Sequence, residues 1–78
     1  MEIKVIGAGC AQCGQLYKNT REAVTRLGID ADIQKVDDLK EIVKLGVMTA
    51  PSLMVDGKLL VSGRVAPMKT IENLLNSP

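Results

Sequence analysis

Two periods of apolar spacing alternate along this chain. Ile3, Val5 and Ile6 form a short apolar run bounded by Gly7 and Gly9, which predicts a largely buried strand over Glu2 to Ile6 and a loop over Gly7 to Gly9. From Ala11 to Leu27 the spacing lengthens. Leu16, Tyr17, Thr20, Ala23, Val24 and Leu27 recur at three- and four-residue steps, while Lys18, Arg21, Glu22 and Arg26 fall off that stripe. This is the pattern of an amphipathic helix, with Gly28 as its C′ residue. Alternation returns, imperfectly, over Ala31 to Val36, with Ala31, Ile33 and Lys35 on one face of a second strand. Asp38, with Glu41 three positions later, has the form of a capping box opening a second helix, whose buried stripe is read as Leu39, Ile42, Val43 and Leu45 and whose end is Gly46.

Thr49-Ala50-Pro51 does not extend that helix, because the residue before a proline is pushed to extended geometry. Ser52 to Val55 and Lys58 to Ser62 flank Asp56-Gly57, a dipeptide suited to a type I′ hairpin turn. Gly63 to Ala66 connects to a last helix with Pro67 in its first turn and Met68, Ile71, Leu74 and Leu75 on its stripe. The order is βαβαββα. The first three elements require a parallel strand pair with a right-handed crossover, and the hairpin adds antiparallel strands. The expected architecture is α/β: a mixed four-stranded sheet with three helices on its faces. It places the turn after the first strand at an exposed sheet edge.

With 78 residues, the chain is read as one domain, 1–78. Hydrophobic residues make up 46%, enough for a layered core, and they are almost all aliphatic, since Tyr17 is the only aromatic. Ten basic and nine acidic residues without a like-charge block argue against a nucleic-acid binder, which needs a basic stripe and stacking aromatics. No apolar run approaches the ~20 residues of a membrane span, and no secretory signal is visible, so a cytoplasmic location is expected.

The candidate chemistry lies in Gly7-Ala8-Gly9-Cys10-Ala11-Gln12-Cys13, which contains both cysteines of the chain. A strand, a glycine turn and a helix opening at a thiol put that thiol beside unpaired backbone N–H groups. Their partial positive charge favours thiolate, so Cys10 is expected to have a lowered pKa and to be the attacking sulfur. Cys13, one helical turn on, is within reach of a mixed disulfide at Cys10. The pair reads as a dithiol–disulfide exchange site.

Cys10-Ala11-Gln12-Cys13 after the first strand, Thr49-Ala50-Pro51 before the third and Gly63 after the fourth together resemble the small thioredoxin/glutaredoxin-like redox-active disulfide proteins of archaea and bacteria. The resemblance implies a thioredoxin-like fold, a cis Pro51 facing the cysteines, and an Ala50 backbone offering strand-like hydrogen bonds to a substrate peptide. Cys10 and Cys13 would then be catalytic, with Thr49, Ala50 and Pro51 binding substrate. It further implies disulfide-containing protein substrates and a thioredoxin-reductase-like electron donor. Two departures stand out. Thioredoxins have Trp before the motif and Gly-Pro within it, where this chain has Gly9 and Ala11-Gln12; and Lys4 stands where they carry a buried carboxylate. Ser62-Gly63-Arg64-Val65-Ala66 also lacks the acidic residue of a glutaredoxin glutathione site, which favours a protein reductase.

The reading to weigh against exchange is a soft-metal-binding or redox-sensing module that holds Cu(I) or zinc across a dimer. Zinc needs four ligands, and the chain has two cysteines and no histidine. The expectation is therefore a monomer with neither metal nor cofactor. Tyr17 reads as core, Asp37 and Asp38 as capping residues, Lys58 and Arg64 as solvated charges, and Met48 as an apolar rim beside the cysteines.

Overall fold

The structure is a computed structural model and describes residues 1–7, 11–47 and 49–76. Its elements run β1 (Glu2–Ile6), α1 (Ala11–Leu27), β2 (Asp32–Val36), α2 (Leu39–Lys44), β3 (Ser52–Val55), β4 (Lys58–Ser62) and α3 (Met68–Asn76). The four strands form one mixed sheet in the order β2-β1-β3-β4. β1 pairs parallel with β2, and the β1/β3 and β3/β4 pairs are antiparallel. This is the mixed α/β architecture that the alternation of periods predicts.

Strand alternation divides the core into two layers. Ile3 and Val5 point to one face, where they join Leu16, Ala23 and Val24 of α1, Leu53, Val61, and Ile71 and Leu75 of α3. Ile6 points to the other face and joins Val47 and Met54, with Val36, Ile42 and Leu45 packed around them. β1 is therefore buried from both sides, which explains its nearly continuous apolar sequence. Thr20 lies fully buried on α1, and its hydroxyl donates to the Leu16 carbonyl at 2.8 Å. Arg26 Nε meets Glu72 Oε2 at 2.9 Å, tying α1 to α3.

The imperfect alternation of β2 has a simple cause. β2 is an edge strand, so its inward face needs to be only partly apolar. Ala31 and Ile33 pack on the α1 layer. Lys35 ends that face with its ammonium 5.6 Å from the centroid of the Tyr17 ring, close enough for a cation–π attraction.

The hairpin turn has φ of 50° at Asp56 and 84° at Gly57, the pair of positive values that a type I′ turn requires. Asp56 also binds the start of β1: its N–H donates to the Glu2 carbonyl, and its Oδ1 accepts from the Glu2 N–H, both at 2.8 Å.

α2 departs from the expected pattern. Leu39 and Val43, read from sequence as buried, are 70% and 75% exposed, and only Ile42 and Leu45 turn towards the sheet. Leu39 and Val43 are four positions apart and share the outer side of this six-residue helix. The capping box is half made. Asp38 Oδ1 accepts from the Lys40 N–H at 3.0 Å, but the Glu41 carboxylate lies towards Lys44 Nζ, at 3.8 Å. Pro67 sits one residue before α3, its carbonyl accepting the first helical bond from Ile71 N–H.

Among the described residues no helix is long and apolar enough to cross a membrane. The packing makes a graded prediction for chemical denaturation. Leu53→Ala, at a fully buried site between the α1 layer and β4, lowers stability by about 2–5 kcal/mol. Leu39→Ala and Val43→Ala each change it by no more than about 0.5 kcal/mol. A large loss at Leu39 or Val43 would contradict this two-layer division.

Candidate functional site

One end of the sheet gathers the residues that the sequence singles out. β1 ends at Ile6, which pairs with Val36 of β2 on one side and with Ser52 of β3 on the other; Ser52 in turn pairs with Ser62 of β4. This row faces the start of α1 and the Thr49–Pro51 segment. β1 is an interior strand, and Ile6 and Gly7 lie at its carboxyl end.

Gly7 continues the β1/β2 pairing by one rung, its N–H donating to the Val36 carbonyl at 2.9 Å. It is also the point of closest approach. A Cβ built on Gly7 would overlap Cys13 Sγ, lie 3.1 Å from Cys13 Cβ and stand 3.7 Å from Ala50 Cβ. The Cys13 side chain thus packs on the Gly7 backbone, with Ala50 beside it. Cys13 is 3% exposed, on the buried side of the first turn of α1, and its sulfur is disulfide-bonded. Cys10 lies outside the described residues, as do Gly9 and Met48.

Thr49 and Ala50 are exposed, whereas Pro51 and Ser52 are buried. The Ala50–Pro51 peptide bond is cis, the one such bond among the described residues. Hydroxyl groups brace this segment. Ser52 Oγ donates to the Thr49 carbonyl at 2.6 Å, Thr49 Oγ1 lies 2.6 Å from Ser62 Oγ, and the Thr49 and Ser52 hydroxyls are 3.4 Å apart. From β4, Gly63 N–H donates to the Pro51 carbonyl at 2.9 Å. Gly63 has a φ of +71°, and a Cβ there would stand 3.4 Å from Thr49 Cβ. The glycine thus serves the left-handed backbone, while the space beside Thr49 would admit a Cβ in ordinary contact.

The geometry brings Cys13 and Ala50 together at Gly7, with Pro51 next to Ala50 in the chain, and brings Thr49 into contact with Ser52 and Ser62. The sequence reading singled out neither Gly7 as a contact nor the two serines. Ser52 and Ser62 are short polar residues at the ends of otherwise apolar strands, but their pairing depends on a bulge. The register set at the turn by Val55↔Lys58, continued without interruption, would put Ser52 opposite Val61; the shift between Leu53 and Met54 puts it opposite Ser62. Lys4, on the face opposite α1, lies 3.5 Å from Glu2 Oε1. Tyr17 is partly buried against the α1 layer, with the core role read for it. Among the described residues no group of three or more His, Cys, Asp or Glu side chains converges.

Comparison with known proteins agrees with this layout. The chain belongs to the thioredoxin domain family, whose model matches residues 1–76. It is 45% identical over 76 residues to a thioredoxin of Methanothermobacter thermautotrophicus, covering 97% of this chain and 99% of that protein. It is 37% identical over 75 residues to a thioredoxin of Methanocaldococcus jannaschii, covering 96% of this chain and 86% of the relative. The mixed sheet with three helices is thus a thioredoxin-like fold on sequence and architecture alike.

The approach of Cys13 to Gly7 leads to a direct test. Gly7→Ala forces the sulfur, the start of α1 or the end of β1 to move and lowers stability by about 1–3 kcal/mol. Denaturant unfolding of the variant beside the parent measures this, and a change below about 0.5 kcal/mol would show that the end of β1 yields freely.

Proposed function

We propose that the protein is a cytoplasmic, monomeric, single-domain thiol–disulfide oxidoreductase that reduces disulfides in protein substrates through Cys10 and Cys13. The observation that supports this most is the position of Cys13. It is buried at the start of α1 against Gly7 and beside Ala50, in a chain of the thioredoxin domain family whose one other cysteine is Cys10.

In this reading the Cys10 thiolate attacks one sulfur of a substrate disulfide. The other sulfur leaves as a thiolate and takes up a proton, giving a mixed disulfide. Cys13, as thiolate, then attacks Cys10 Sγ, forms the Cys10–Cys13 disulfide and releases the second substrate thiol, which is protonated in turn. The substrate gains two electrons from the protein's two sulfurs and two protons from solvent, which has taken up those the cysteines release on ionising. In the reverse direction, the oxidised pair needs two electrons to become a dithiol again. A thioredoxin-reductase-like partner returns them. Burial of Cys13 suits the resolving role, since it screens that thiol from other disulfides.

Thr49, Ala50 and Pro51 form the substrate-binding segment. Ala50 is exposed beside Cys13, where an extended peptide can pair with its backbone.

The two cysteines have different expected phenotypes. Cys10→Ser abolishes reduction of a protein disulfide, because the thiol that remains, Cys13, is buried away from the substrate. Cys13→Ser reacts once and stops, accumulating a mixed disulfide visible by mass spectrometry and cleared by dithiothreitol. Full turnover in Cys10→Ser would refute the assignment.

A further inference from the structure

The Thr49–Ala50 peptide has a defined direction. Ser52 is fully buried, and its hydroxyl donates to the Thr49 carbonyl at 2.6 Å. That carbonyl is therefore held towards the end of β3. The Thr49–Ala50 bond is trans, as the cis bond lies one residue later. In a trans peptide the C=O and the following N–H point in opposite directions across one plane. Holding the Thr49 oxygen towards Ser52 therefore turns the Ala50 N–H away from it, on a residue that is itself exposed.

The other hydroxyls reinforce this direction. Each carries one proton, and that of Ser52 is committed to the Thr49 carbonyl. Thr49 Oγ1 lies 3.4 Å from Ser52 Oγ and 2.6 Å from Ser62 Oγ, so its stronger partner is Ser62. The hydroxyl cluster thus links Ser62, Thr49 and Ser52 to the Thr49 carbonyl. It joins β4 to the segment before Pro51 without using a charged group.

We propose that Ser52 is a positioning residue for substrate: it orients the Thr49–Ala50 peptide so that the Ala50 N–H is presented to the backbone carbonyl of an extended substrate peptide, with Ser62 supporting it through Thr49. This rests on the disulfide-exchange reading and deepens it. The chemistry recognised is peptide backbone, which makes the role selective. A protein or peptide disulfide uses the oriented N–H, whereas a small aromatic disulfide, with no backbone to pair, uses the thiols alone.

The test compares the parent protein, Ser52→Ala and Ser62→Ala on two oxidants. One is insulin, reduced with dithiothreitol as the electron source; the other is 5,5′-dithiobis(2-nitrobenzoate), reacted with the pre-reduced protein. The expected result for Ser52→Ala is a fall of at least about fivefold in kcat/KM for insulin, carried mainly by KM, with the rate on the small disulfide within about twofold of the parent. Ser62→Ala, at an exposed position, moves the same ratio in the same direction by a smaller factor. An equal fall on both oxidants, or no fall on insulin, overturns the positioning role while leaving disulfide exchange intact. If Ser52→Ala does not fold, Ser62→Ala decides alone: a loss confined to insulin supports the role, and any other result overturns it. A parent protein that reduces neither oxidant overturns the exchange reading and the positioning role with it.

Discussion

A sulfur atom packed onto the backbone at the end of a buried strand is the contact on which this structure depends. Cys13 reaches the Gly7 backbone because residue 7 carries no Cβ. That approach relates three pieces of chain that are distant in sequence. The end of β1 is held by its bond to the Val36 carbonyl, the first turn of α1 is held by the buried side of Cys13, and Ala50 stands against both. A larger residue at position 7 would push the helix outwards and separate the sulfur from the Pro51 segment. The permissive residue is therefore needed here for space, whereas at Gly63 it is needed for backbone direction.

The remaining elements keep these three pieces in place. β1 is paired on both sides and covered on both faces, so its end has little freedom to shift. The Pro51 segment is tied to β4 by hydroxyl groups and by the Gly63 N–H. No ionisable side chain takes part in that bracing. Its strength is correspondingly insensitive to salt, which screens charges and leaves neutral hydrogen bonds largely unaffected.

The fold was legible in the sequence wherever burial imposes a period. β1 and α1 face a core along their whole length, and their limits follow from the spacing of Ile3, Val5 and Ile6 and of Leu16 to Leu27. The Asp56-Gly57 turn was legible because few residue pairs accept two positive φ values. α2 misled because it is short. Over six residues, Leu39, Ile42 and Val43 fit an inward stripe as well as an outward one, and only the small cluster beneath the helix selects Ile42. Of the site, the Cys10-x-x-Cys13 spacing and Ala50-Pro51 stand out locally. The roles of Gly7, Ser52 and Ser62 do not, since each arises from proximity across the sheet. A one-residue bulge decides which residue Ser52 faces, and apolar spacing carries no record of it.

The unequal cover of the sheet bears on how the molecule opens. The α1 and α3 side is a broad layer joined by Arg26 and Glu72, and the α2 side rests on Ile6, Val47 and Met54 with a helix that leaves two of its aliphatic side chains in water. Opening is therefore hierarchical. The α2 segment can detach at a small fraction of the free energy of global unfolding, while the α1–α3 layer and the central strand remain assembled. Its amides then exchange with solvent by a local excursion, and those of β1 only when the whole domain unfolds. Because α2 leads through Gly46 and Val47 towards Thr49, each excursion loosens the entry to the Pro51 segment from one side only. The far side stays anchored to β4, so the segment has one free end and one moored end.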